Sequence, residues 1–294
     1  MEIDKNYAKY ETQHSLLDGV FAPTRKVKDG DLRIRRIKNS YNYKDPKTGN
    51  VYEKAVKLEL VIPYLLNPQA ESVLLALIKL SSMTGIHDWV EIEATQPNLP
   101  ALFKSIEGDA KGKPMVYVQT NQHKLLREAG MDTGKEGYRL LEQYLKYMSE
   151  ITVHYENTVD RFKANVHLLE TAEDTTTGNI VVRLNWRLTG AIIGSYQYAM
   201  IDLDERRLLK KDASKTLHRW LSAWLKTSKP SFMLYETLAS HIWTEKATKK
   251  TQQKRIERLK REILPEIAKL DKWTIEMGER GAQITRHKAP DELP

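Results

Sequence analysis

Apolar positions change their period along this chain, and each change marks an element. Residues 1–30 are mostly polar and read as a loosely held extension. Two β-rich runs follow, Leu32 to Ile37 and Val51 to Ile62, around the turn signal Asp45-Pro46-Lys47-Thr48-Gly49-Asn50, and they predict a hairpin. Asn67-Pro68 opens a helix over Ala70–Ser82 carrying Val73, Leu74, Leu77, Ile78 and Leu80. A short strand is expected at Met115–Val118, then helices at Asn121–Ala129 and Lys135–Met148. β-type segments are expected at Ile151–Tyr155, Val159–Leu169 and Ile180–Leu184, with the polar run Thr171 to Gly178 as a loop.

The second half reads as helix after helix. A short one is expected around Trp186–Ile193. Another spans Ser214–Leu225, with Leu217, Trp220, Leu221 and Trp224 at i, i+3, i+4, i+7. An extended piece, Ser231–Leu234, leads to a helix at Tyr235–Trp243 and a basic helix at Thr251–Leu264. Trp273–Met277 and Ala282–Arg286, joined by Gly278-Glu279-Arg280-Gly281, predict a closing hairpin.

Strand, helix, turn, basic helix, hairpin is the order of a winged helix-turn-helix. The stretch from Met115 and the stretch from Ser231 run through a similar order, so an internal duplication is expected. The predicted fold class is therefore α+β, with two tandem winged helix-turn-helix domains. The first, residues 1–194, carries the N-terminal extension. The second, residues 195–294, is expected to bind DNA.

Charge separates the two copies. The chain has 294 residues, 29% of them charged, with a formal net charge of +8, which favours polyanionic partners. On the basic helix Ile256, Leu259 and Ile263 share one face, while Lys250, Lys254, Arg258 and Arg261 recur once per turn opposite. A helix with one buried side and one cationic side suits the major groove of DNA. A solvated helix surface is the plainer alternative. The first long helix mixes Lys135, Arg139 and Lys146 with Glu136 and Glu142, so the second copy is expected to be the stronger reader. Lys249, Lys250, Arg255, Arg258 and Arg261 are candidate phosphate contacts; Thr251, Gln253 and Lys254 are candidate base readers. Arg280 at the hairpin tip either reaches a neighbouring groove or phosphate or is an ordinary charged turn residue. Arg286 completes the candidate set.

Other chemistry is weakly represented. With no cysteines, thiolate metal sites and Cys nucleophiles are excluded. No stretch approaches the ~20 apolar residues of a membrane span, and the first residues lack an apolar signal core, so a cytoplasmic protein is expected. Asp202-Leu203-Asp204 has the form of a Mg²⁺-binding D-x-D, but without a partner carboxylate it reads as a helix cap. Gly130 to Glu136 and Gly108 to Pro114 fail as phosphate loops and read as turns. The eight histidines include no H-x-H or HExxH, and His241 beside Ile242 and Trp243 reads as packed or capping. No catalytic residue, metal site or cofactor is expected.

The second half resembles the C-terminal part of the RepC replication initiators of IncQ-type plasmids. The residues that carry the resemblance are Asp204-Glu205, Leu217-His218-Arg219, Leu221, Trp224, Leu238, Trp243, Arg255, Arg258, Leu264-Pro265-Glu266-Ile267, Leu270, Trp273-Thr274 and Ile284-Thr285-Arg286. The resemblance covers roughly residues 180–288. The first half is similar through its Tyr41-Asn42-Tyr43 hairpin and the helix around Leu74–Leu80. The N-terminal extension and the acidic Glu173-Asp174 loop depart from the family pattern. The resemblance implies binding to directly repeated sites, or iterons, in a plasmid origin. It further implies opening of an adjacent AT-rich segment and recruitment of a helicase and a primase, without catalytic residues. A homodimer is compatible with it. A transcriptional repressor built on the same domains is the alternative.

Overall fold

The computed structural model describes residues 7–15, 17–23, 32–44, 48–83, 116–174, 179–192, 194 and 197–288. Its first part runs β1 (Tyr7–Glu11), α1 (Thr12–Ser15), β2 (Leu32–Lys44), β3 (Val51–Tyr64), α2 (Pro68–Met83), β4 (Val116–Asn121), α3 (Gln122–Glu128) and α4 (Lys135–Ser149). Then come β5 (Thr152–Asn157), β6 (Phe162–His167), β7 (Leu169–Asp174), β8 (Asn179–Leu184), α5 (Trp186–Ile192), β9 (Tyr198–Asp202), α6 (Leu203–Leu208) and α7 (Asp212–Trp224). The last part is β10 (Ser231–Leu234), α8 (Tyr235–Ile242), α9 (Lys249–Arg258), a π-helical turn (Leu259–Ile263), α10 (Leu264–Ile267), β11 (Trp273–Met277) and β12 (Gly281–Arg286). The fold is α+β.

The first core forms around α2. Every residue from Val73 to Ile78 is fully buried, as expected of a helix that is apolar on most of its circumference. Its start is fixed locally: Asn67 Oδ1 accepts from the amides of Gln69 and Ala70, and Pro68 sits where no N–H is needed. Apolar packing is continuous from Ala8 to Leu203 in one cluster and from Leu209 to Ile284 in another.

Two corrections concern strands. Val159–Leu169 is not one strand. The chain turns at 158–161, with Arg161 at φ 52°, and β6 runs back along β5 to complete a sheet ordered β2-β3-β5-β6. At Leu168 it passes to another sheet, ordered β4-β8-β7. Thr171 to Asp174, expected as loop, are the last four of the six residues of β7, paired from Thr171↔Val182 to Asp174↔Asn179. β7 is an edge strand with an exposed end, so it needs no apolar alternation and its signal is hidden.

Two of the sheets share one strand order. β4, α3, α4, β7 and β8 give a sheet ordered β4-β8-β7. β10, α8, α9 to α10, β11 and β12 give one ordered β10-β12-β11. The counterpart of β11 is therefore β7, and not the Ile151–Tyr155 segment that follows α4 directly. β5 and β6 are a hairpin inserted into the first copy and spent on the other sheet.

A further correction is the N-terminus. Tyr7–Glu11 forms a strand paired with β9, and Tyr7, Ala8 and Tyr10 are buried. The polar look of this segment misleads because its polar groups are matched inside. Glu11 accepts from Arg187, with 2.5 Å between the atoms, and lies 2.7 Å from His14 Nδ1. Burial alone would raise its pKa, but Arg187 and His14 outweigh it and hold the carboxyl at about 2.

Buried charge joins the two cores. Glu71 on α2 is fully buried between two arginines of the second half's approach. Its Oε2 accepts from Arg206 Nη2 at 2.7 Å, and its Oε1 lies 3.0 Å from Arg219 Nε. Arg206 also donates to Ser72 Oγ, Pro68 O and Lys215 O. Arg219 donates to the Ser15 carbonyl.

Candidate nucleic-acid interface

Thr248 starts the basic helix three residues earlier than Thr251. Its Oγ1 accepts from the amide of Thr251, and its own backbone is extended, as an N-cap requires. The signal was present as a Thr ahead of a polar helical run. From Lys249 the path is helical to Ile267, but not uniformly α. At Leu259–Ile263 it widens, and the Leu264 amide bonds back to Leu259 O across a π turn. Pro265 supplies the reason. It has no N–H to give Arg261 O, and its ring would crowd that carbonyl, so the ladder shifts register just before it.

The π turn corrects the expected row of four. Lys250, Lys254 and Arg258 lie on the regular part and are exposed. Arg261 is also exposed but sits within the wider turn, so it lags the row. Leu259, Ile263 and Leu264 are fully buried, which anchors the opposite side. Ile256 is only partly buried and packs at the rim of that core.

Each candidate side chain has a definite place. Lys249, Lys250, Thr251, Gln253 and Lys254 are exposed at the helix start, and Thr251 Oγ1 lies 3.0 Å from Thr248 Oγ1. Arg258 Nε lies 3.6 Å from Glu262, a surface pair of small energetic weight. Arg255 is turned back: it donates to Glu245 O at 2.9 Å, and its guanidinium lies 5.8 Å from the Trp243 ring centre. It braces the turn between α8 and α9 as well as adding charge. Trp243 was not singled out from the sequence for this role. Arg280 is exposed at the β11–β12 tip, where its carbonyl accepts from the Tyr235 amide.

Arg286 must be removed from the set. It is 7% exposed and donates to Ser222 O at 3.1 Å and Met200 O at 2.8 Å, with Trp273 beneath its guanidinium. It ends β12 on the inner side and ties the second core to β9. A β-strand alternates its faces, and position 286 falls on the buried one with Ala282 and Ile284.

Among the described residues, the long helix of the first copy mixes its exposed cations with acids. On α4 Arg139 pairs with Glu136 at 2.7 Å, and Gln122 of α3 bonds to Glu142 and Glu173. By contrast, among the described residues Lys246, Lys249, Lys250, Lys254 and Arg261 lie within ion-pair reach of no carboxylate.

The rejected chemistries also have places. Asp202 caps α6, accepting from the amides of Asp204 and Glu205, and pairs with Lys272 at 2.9 Å. Burial opposes its ionisation, but Lys272 and the cap amides win and lower its pKa. Gly130 has φ +65°, and Asp132 Oδ2 accepts from the Gly134 amide, in a turn between α3 and α4. Residues 108–114 lie outside the described residues. His241 is stacked on Trp220 and bonded to Asp18. Among the described residues there is no group of three or more metal-ligating side chains, and no helix is long and apolar enough to cross a membrane.

The family model described as Replication protein C (RepC) matches residues 2–288. The chain belongs to the replication protein C family. The match spans almost the whole sequence, so the N-terminal segment that pairs with β9 is part of the family pattern rather than an addition. No curated protein matches the chain. Among solved structures, this RepC-family chain is similar to the crystal structure of selenomethionine derivatives of domains 2 and 3 of RctB. That likeness has a TM-score of 0.52 at 11% identity, covering 95% of this chain and 99% of that one. A second crystal structure of RctB domains 2–3 gives a TM-score of 0.49 at 10% identity, covering 95% and 98%. At such identity the first likeness concerns the fold alone.

Proposed function

We propose that this RepC-family protein initiates replication by recognising directly repeated sites in an origin. In this reading it is built of two winged helix-turn-helix domains, residues 1–194 and 195–294. The second domain lays α9 in the major groove of double-stranded DNA. One observation carries the reading: a helix capped at Thr248, anchored through Leu259 and Ile263, holds Lys249, Lys250, Lys254 and Arg261 exposed and, among the described residues, without carboxylate partners. Free cations on one face of an anchored helix meet phosphates without first breaking an ion pair. The β11–β12 hairpin, with Arg280 at its tip, is the wing beside it. Opening of neighbouring DNA follows from strain stored in the bound repeats, with a helicase and a primase recruited afterwards.

Base choice is assigned to Gln253 and Lys254, at the start of the second turn of α9. Gln253→Ala is expected to weaken binding to the right site by about 1–3 kcal/mol while leaving unrelated duplexes little changed, and Lys254→Ala to weaken the right site by a similar amount beyond the loss it causes on every duplex through its share of the charge. Competition binding against a panel of single-base variants of the repeat measures this. A uniform loss on all sequences would confine both residues to backbone contacts.

Two unlike domains on one chain have no two-fold axis to match a palindrome. One chain on one repeat is expected to protect about two helical turns, ~21 base pairs, in direct order. Footprinting with measured stoichiometry tests it. A palindrome bound by a symmetric dimer would overturn the tandem arrangement.

A further inference from the structure

An open aromatic groove lies between the halves, with no residue of α9 in its lining. It has a volume of about 540 Å³, with Tyr41 on one wall and α7, β10 and α8 on the other. Its floor is a pile of parallel rings. His241 stacks on Trp220 with 3.6 Å between ring centres, and Trp220 on Trp224 with 5.4 Å and 13° between planes. The lower rings are fixed: Trp220 is 5% exposed, and His241 is held 2.6 Å from Asp18 Oδ2. The end of the pile is open, with Trp224 46% exposed. Across from it Phe232 and Leu234, on one face of β10, are 60% and 47% exposed. Gly281 makes the room for Phe232, because a Cβ there would lie 2.7 Å from its ring and 2.3 Å from Met233 O.

Two cations lie next to the groove's residues along the chain. Lys226 and Lys229 sit in the short loop between Trp224 and Phe232. Both are exposed, and among the described residues neither has an ion-pair partner. The loop itself is fixed, since the Ser228 amide donates to Arg286 O at 2.7 Å and the Lys229 amide to Lys226 O. An open aromatic face beside two unpaired ammonium groups matches a planar base attached to phosphates. An apolar peptide would use the rings and leave the lysines unanswered. In duplex DNA the base faces are already stacked, so only a single strand can supply one.

We infer that this groove binds single-stranded nucleic acid, stacking a base on Trp224 against Phe232 with flanking phosphates at Lys226 and Lys229. The inference rests on the reading of the protein as an origin-opening factor, since opening is what provides a single strand. Duplex binding on α9 and strand binding in the groove use separate side chains, so each can fail alone.

The test uses the full chain, a labelled oligodeoxythymidylate of about 12 nucleotides and a duplex repeat, followed by anisotropy at low salt. Trp224→Ala and Phe232→Ala are each expected to weaken the single strand about tenfold, and Trp224→Phe to recover most of it. Lys226→Ala with Lys229→Ala is expected to reduce its salt dependence. Duplex affinity is expected to stay within about twofold in all four. No single-strand binding by the native chain, or unchanged binding by Trp224→Ala, overturns the inference and leaves the α9 reading intact. A change of sedimentation in Trp224→Ala with no change on the single strand also overturns it, and assigns the groove to a second copy of the chain. Strand binding that Trp224→Ala abolishes, with no duplex binding by the native chain, supports the groove and sinks the proposed function.

Discussion

Glu71→Ala is expected to cost about 3–5 kcal/mol of stability, the largest effect of any single substitution considered for this protein. The carboxylate is fully buried and faces Arg206 at 2.7 Å and Arg219 at 3.0 Å. Removing it leaves two guanidiniums in a low-dielectric interior with only neutral acceptors. The arginines belong to α6 and α7 and the glutamate to α2, so the contact also fixes the halves to one another. Urea unfolding of the variant, followed by far-ultraviolet circular dichroism, measures the loss. A loss under about 1 kcal/mol would mean that water reaches the arginines once the carboxylate has gone. Replacing all three side chains with apolar ones of similar volume is expected to recover much of the loss, because the cost of burying the charges disappears with them.

Removing the cationic row should have the largest effect on DNA binding. With Lys250, Lys254, Arg258 and Arg261 all changed to alanine, the slope of log affinity against log salt is expected to fall by about 3–4, at roughly 0.9 per phosphate contact. Over a fourfold range of salt, that alone changes the native protein's affinity on the order of a hundredfold. Arg258→Ala contributes about one unit of slope. All four side chains are exposed, so the fold should be unaffected. Arg286→Ala is the contrast: its side chain serves Ser222 and Met200, so it should lower stability and leave the slope unchanged. Titrations at several salt concentrations decide the matter. An unchanged slope in the fourfold variant would take α9 off the DNA.

The sequence by itself determined the elements whose periodicity is strong. The Leu-rich α2, the Trp-bearing α7 and the closing hairpin β11–β12 were legible, because one buried face repeating at 3.6 or 2 residues leaves a plain pattern. The caps at Asn67, Asn121 and Asp202 could be read as short polar side chains ahead of helical runs. The cationic face of α9 was legible too, since charge on a surface helix answers to no partner far away in the chain.

Only the tertiary structure decided what depends on distant partners. Glu11, Glu71 and Arg286 are polar residues that look solvated in sequence. Each is buried because a matching group comes from elsewhere: Arg187, the pair Arg206 and Arg219, and the carbonyls of Ser222 and Met200. β7 was hidden because an edge strand needs no apolar alternation, and β5 was taken as the counterpart of β11 in place of β7 because strand neighbours are chosen by sheets, not by chain order. The aromatic groove has the same origin. Trp224 fits the apolar stripe of α7 as well as Leu221 does, and periodicity gives both an inward face. Which of them ends in a core and which at an open groove depends on where β10 and the first half stop covering α7, and that is settled by packing.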